Sequence, residues 1–267
     1  MDNYILMALL ATLGTWFITA LGAATVVFFS TPNPKILNLM LGFASGVMIA
    51  ASFWSLLQPA IERAEAMDGL PAYLIATTGF LFGAGFMWAS DKIVTYATGR
   101  ANNSAGQKNE KLNRIIMLVL SITLHNIPEG LAVGVAFGAL ANQDSTPEAL
   151  LGAVTVTLGI GLQNFPEGAA VSLPLRREGY SRKKSFFLGQ SSGMVEPIAG
   201  VLGALLVVYV ELILPYALAF AAGSMILVAV HELIPECQRN QKSQPYTATM
   251  GIVLGFAVMM LLDVMLG

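Results

Sequence analysis

Eight long apolar runs separated by short polar interruptions make up most of the chain, at about 4–29, 36–60, 72–95, 115–140, 149–173, 185–210, 212–233 and 247–265. Each is close to the ~20 residues that a helix needs to cross a ~30 Å hydrocarbon core. Only helices and closed barrels satisfy every backbone group in lipid, and the runs lack the apolar–polar alternation of barrel strands. The pattern therefore predicts an all-α integral membrane protein of eight transmembrane helices. The first run follows Asp2 instead of a basic leader and is long enough to span, so it reads as a helix and not a signal peptide. Thr31-Pro32-Asn33-Pro34 reads as a turn, and the short polar segment 62–69 separates the second run from the third. The stretch 99–112, rich in Asn, Ser, Gly, Gln and Lys with no apolar period, is expected to be the longest loop.

Composition excludes a soluble domain. Hydrophobic residues are 55% of the chain and charged residues 11%, where a soluble domain carries roughly a quarter charged residues. Residues 1–267 read as one polytopic domain. The single cysteine, Cys237, excludes an internal disulfide and a cysteine-rich metal cage, and reads as a small residue near a helix end. A net charge of -2 gives no reason to expect a nucleic-acid partner.

The distribution of charge says more than its total. Threading eight helices puts 13 of the 14 basic residues on one side, among them Lys35, Lys92, Arg100, Arg176, Arg182 and Arg239, and leaves Arg63 opposite. The positive-inside rule makes those loops cytoplasmic, the 99–112 loop included, and sends both termini outward. A plasma or cell inner membrane is the expected location. The outer side carries Glu62, Glu65, Asp68, Asp144, Glu148 and Glu211. Such a rim raises the local cation concentration, and it is also what plain solvation of outer loops requires.

Two related motifs interrupt the apolar pattern: L-H-N-I-P-E-G at 124–130 and L-Q-N-F-P-E-G at 162–168. On a helix His125 and Glu129 stack at i and i+4, with Asn126 at the edge of that face. Gln163, Asn164 and Glu167 repeat the arrangement, and two antiparallel helices would bring the polar midpoints together. Pro128 and Pro166 each remove a backbone donor and crowd a carbonyl four residues back, which predicts kinks beside the polar cluster. A third carboxylate, Glu196, lies midway along the sixth run in S-S-G-M-V-E-P. Intramembrane carboxylates cost several kcal/mol unless compensated, about 2.5–3.5 each on insertion scales, and no Lys or Arg falls at that depth. A divalent cation supplies the missing charge. The mixture of imidazole, carboxylate and amide donors suits Zn²⁺, Fe²⁺ or Mn²⁺. The bland reading is a protonated polar network that glues helices together, which the duplication makes the weaker one.

The paired motifs resemble the signatures of the ZIP (Zrt/Irt-like) metal transporters, particularly the GufA-like branch. The eight-helix layout extends the likeness over nearly the whole chain. The resemblance implies a binuclear centre at the bilayer midplane: His125, Glu129, Gln163 and Glu167 for one ion, and Asn126, Asn164, Glu196 with both bridging glutamates for the other. Met48 matches a family position beside the first ion. Gln163 stands where many members have a second histidine, which opens the metal preference to Fe²⁺, Mn²⁺ or Cd²⁺ beside Zn²⁺. By the same resemblance His231 and Glu232, with Asp91, look like a release site, the alternative being a helix-end histidine with solvated acids.

The expected function is a secondary transporter that moves a divalent transition metal, zinc foremost, toward the cytoplasm. Its partners are metal ions and the bilayer, and its assembly is open, a homodimer included. A broad-selectivity iron, manganese or cadmium carrier is the alternative within transport. From another class, an intramembrane metal-dependent hydrolase would use Glu129 or Glu167 as general base. H-E-L-I-P at 231–235 places proline where the H-E-x-x-H of zinc proteases has its second ligand, which argues against that class.

Overall fold

The structure, a computed structural model, describes residues 2–29, 33–105, 110–141, 146–238 and 246–266. Among them stand eight helical rods. α1 is Asp2–Ala24, closed by a 3-10 turn at Thr25–Val27. α2 is Pro34–Glu65, α3 Ala72–Ala105, α4 Glu110–Ala139 and α5 Pro147–Arg177. α6 is Arg182–Tyr209, α7 Leu214–Gln238 and α8 Thr247–Leu266. Seven of them are long and apolar enough to cross a membrane, and α4, which carries the first motif, is the eighth rod.

Helix starts follow local chemistry. The Asn33 side chain accepts from Lys35 N at 3.0 Å with Pro34 at the first helical position, and Thr146 and Ser181 cap α5 and α6 in the same way. The stretch 99–112 is a correction. Its described residues are helical, α3 running on to Ala105 and α4 starting at Glu110, with 106–109 outside the described residues. A helix leaving the bilayer keeps its internal hydrogen bonds in water, so it continues there without an apolar face.

Backbone type changes upstream of particular prolines. π turns at Ser52–Leu57 and Ala229–Leu233 precede Pro59 and Pro235, and in them the N–H groups of Gln58 and Ile234 reach back to the carbonyls of Phe53 and Ala229. A 3-10 turn at Ser192–Met194 precedes Pro197. Each absorbs the missing donor by changing the local winding. α4 and α5 instead stay α-helical on both sides of Pro128 and Pro166.

The rods pair through small residues: α1 with α5, α2 with α8, α3 with α7, and α4 with α6. In lipid this association relies on close van der Waals approach, which a side chain at the crossing would prevent. Gly42 and Gly46 abut the backbone of Ala248 and Ile252, and Gly251 and Gly255 of α8 abut Leu39 and Phe43 in return. Gly83 meets Phe220, Gly223 meets Phe80, and Gly134 meets Gly200. Gly85, although part of the same sequence stripe, faces open space. α1, α4, α5 and α6 all touch one another, and α2 with α7 packs against that group.

Because the crossings at Gly46 and Gly83 are backbone to backbone, Gly46→Leu or Gly83→Leu is expected to destabilise the protein by at least the ~1–3 kcal/mol of an overpacked core. Gly85→Leu is the control and should leave the midpoint in place. Thermal melts of detergent-solubilised protein, followed by size exclusion, check the contrast.

Candidate metal centre

The two motifs converge because of their glycines. A side chain at Gly130 would strike the backbone of Glu196, and one at Gly168 would strike the Thr19 carbonyl. The residue after each motif glutamate thus lets α4 touch α6 at Glu196 and lets α5 touch α1 at Thr19. His125, Asn126, Glu129, Gln163, Asn164, Glu167 and Glu196 are all buried as a result, Glu129 and Glu196 completely. The carboxylates lie within electrostatic reach of one another, Glu129 of Glu167 and Glu196, and Glu167 of Glu196 and Glu232.

Hydrogen bonds divide the cluster into two parts. In one, Gln163 Nε2 donates to Glu129 Oε1 at 2.5 Å, and His125 Nε2 lies 2.7 Å from Glu232 Oε1. In the other, Asn164 Nδ2 donates to both oxygens of Glu196 at 2.9 Å, and Thr15 Oγ1 donates to Glu196 Oε2 at 2.5 Å. What these bonds leave over is informative. Asn126 Oδ1, Glu129 Oε2, Gln163 Oε1, Asn164 Oδ1 and Glu167 Oε1 are buried acceptors with no donor, and Asn126 Nδ2 is also unpartnered. A buried unsatisfied polar group costs about 1–3 kcal/mol, more when charged. Five acceptor oxygens on two neighbouring helices are the chemistry that a hard or borderline divalent cation matches. Among the described residues no three of His, Cys, Asp and Glu alone are placed to hold a metal ion.

Comparison with known proteins bears on the whole chain. The profile of the family described as "ZIP Zinc transporter" matches residues 105–263. "Zinc transporter ZIP11" of Xenopus tropicalis is 42% identical, the alignment covering 100% of this chain and 99% of that protein. The chain belongs to the ZIP family. ZIP11 of Homo sapiens is 40% identical with 98% of each chain covered, and "Zinc transporter GufA" of Myxococcus xanthus 37% identical with 97% of this chain and 98% of that protein covered. ZIP proteins are transporters and not enzymes, so the hydrolase reading is set aside.

Set in this ZIP fold, the remaining expected site residues separate. Met48 is buried in the apolar core that also holds Val133, one turn beyond Glu129, and Ile160, one turn before Asn164. Ser52 Oγ donates to its carbonyl at 2.7 Å. His231 is exposed, whereas its neighbour Glu232 is drawn to His125. Of the two residues expected at a release site, Glu232 thus reaches the first motif and His231 does not share that contact. Asp91 is half-buried on α3.

Two further residues belong to the cluster and were not singled out from the sequence. Thr15 and Thr19 on α1 both donate to Glu196, Thr19 Oγ1 at 3.5 Å to Oε1. Thr12, Thr15 and Thr19 are buried at i, i+3 and i+7 in an otherwise apolar helix. That periodic polar stripe was the available signal.

Gln163 holds Glu129 through its amide nitrogen and leaves its oxygen unpartnered. Gln163→His is expected to strengthen zinc binding by about tenfold, ~1.4 kcal/mol, because neutral imidazole is the better zinc ligand. Titrations with zinc and with manganese check this. An unchanged zinc affinity together with an unchanged preference would remove Gln163 from the ligand set.

Proposed function

We propose that this protein carries zinc across a cell membrane toward the cytoplasm, by way of two ions held between α4, α5 and α6. The observation that carries the reading is the set of donor-less buried oxygens shared by the two P-E-G turns. Relatives named as zinc transporters align along their whole length, which supports zinc as the cargo. The first ion takes His125, Glu129, Gln163 and Glu167 with Met48 beside it. The second takes Asn126, Asn164 and Glu196 and shares both bridging glutamates.

Direction follows from charge. The basic ends of the helices face the cytoplasm and the acidic ends face out, with both termini outside. A cavity of about 590 Å³ at the acidic end, whose lining includes Gln58, Glu62, Glu148 and Asp263, serves as the entrance in this reading. A midplane site opened in turn to each side is the general plan of secondary transporters. The amide-rich ligand set favours a second reading in which Fe²⁺, Mn²⁺ and Cd²⁺ are also carried, since Gln163 replaces a nitrogen ligand by an oxygen.

Purified protein in liposomes should take up zinc, with Ser181→Cys labelled from inside the vesicle in the molecules that import. Glu129→Ala should lower uptake at least about tenfold, since an ion bound by both motifs loses a shared ligand. Absence of flux, or import through molecules whose Ser181→Cys faces the outside, would overturn the reading. Competition by iron, manganese and cadmium in the same vesicles sets the selectivity.

Metal counting tests the bridge. Wild type should bind two ions, Glu129→Ala or Glu167→Ala should disturb both, and Glu196→Ala or Asn164→Ala should empty the second position alone. A saturated wild-type stoichiometry of one, or loss of both ions in Asn164→Ala, would refute a bridged pair.

A further inference from the structure

Glu196 is held more completely than any other carboxylate of the cluster, and half of what holds it comes from α1. It is fully enclosed. Thr15 Oγ1 reaches Oε2 at 2.5 Å, Thr19 Oγ1 reaches Oε1 at 3.5 Å, and Asn164 Nδ2 reaches both oxygens at 2.9 Å. A carboxylate offers about four lone-pair positions. These contacts occupy them, so a cation can bind Glu196 only where one of them is given up.

The contacts differ in how readily they yield. Asn164 has a buried Oδ1 with no donor. Turning its amide over exchanges Nδ2 for Oδ1, which frees both Glu196 oxygens on that side, gives up the 3.3 Å bond from Nδ2 to the Thr15 carbonyl, and presents an oxygen in place of the N–H. One rotation thus removes two donors and adds a ligand. Thr15 has no such alternative of equal strength. Its single proton is shared between Glu196 at 2.5 Å and the Thr12 carbonyl at 3.0 Å, and the shorter, carboxylate-directed bond is the stronger one. Thr19, equidistant within a few tenths of an ångström from the Thr15 carbonyl at 3.3 Å and from Glu196, holds more weakly.

The surrounding backbone leaves room for the Thr19 contact. A Cβ at Gly193 would lie 3.0 Å from Glu196 Oε1 and 3.1 Å from Thr19 Oγ1, so glycine leaves the room in which hydroxyl and carboxylate meet. Gly168 brings the α5 backbone against Thr19, which fixes α1 beside the motif. The threonines therefore act on Glu196 from a helix that supplies no ligand.

We infer that Thr15 is the positioning residue of the second ion. Its hydroxyl keeps Glu196 aimed at the shared position while Asn164 turns from hydrogen-bond donor to ligand, with Thr19 as a weaker second support. This rests on the two-ion reading. Outer-shell partners of this kind are worth 10–100-fold in metal affinity.

The test is stepwise zinc binding to purified full-length protein, by calorimetric titration with the bound metal counted. Thr15→Val removes the hydroxyl and keeps the shape. The expected result is a second step weakened about 10–100-fold, an unchanged first step, and recovery of the second step in Thr15→Ser. If Thr15→Val does not fold, Thr15→Ala compared with Thr15→Ser asks the same question. A second step unaltered in the hydroxyl-less variant, equal weakening of both steps, or no recovery with serine overturns the inference and leaves the two-ion reading intact. A wild type with a single step overturns both.

Discussion

Burying Glu129, Glu167 and Glu196 in a bilayer without a lysine or arginine is the constraint on which the rest of this structure depends. Glu129 and Glu196 accept bonds from neutral donors, and Glu167 keeps an oxygen without one. Hydrogen bonds of this type reduce the cost of burial without supplying charge. In the function proposed above, a cation supplies the charge that these bonds do not. A site that is fully satisfied only with its cargo bound suits transport, because binding and release both remain within reach.

The glycines and the carboxylates are one device. Gly130 and Gly168 follow the two glutamates directly, and each admits a neighbouring backbone to the turn that carries the charge. Close approach excludes lipid from the carboxylates and brings α6 and α1 into the site. The same small-residue logic joins α2 to α8 and α3 to α7 at a distance from any ligand. There it serves packing alone, which explains why glycine spacing by itself does not identify the site.

Proline appears in two distinct uses. Upstream of Pro59, Pro197 and Pro235 the helix changes its winding, and the turn before Pro235 carries Glu232, which reaches His125. In α4 and α5, Pro128 and Pro166 sit inside continuous helix, each directly before its motif glutamate. The first use redirects side chains along a rod. The second frees a carbonyl within an otherwise regular helix beside the cluster.

Much of this was legible in the chain alone. Length and continuity of the apolar runs determine eight helices, because a bilayer permits no other use of such segments. The repeated H/Q-N-x-P-E-G spacing determines which side chains share a helix face, because that follows from 3.6 residues per turn. The polarity of 99–112 was a poorer guide, since helical hydrogen bonds persist in water without apolar periodicity. Tertiary structure alone decided what meets across helices. It set Thr15 on Glu196, drew Glu232 to His125 while leaving His231 exposed, and separated Gly85 from the glycines that make contact. Those outcomes depend on the rotation of each rod about its axis and on π turns that shift the register by a residue. Neither is encoded in a local pattern, because both arise from the packing of distant segments against one another.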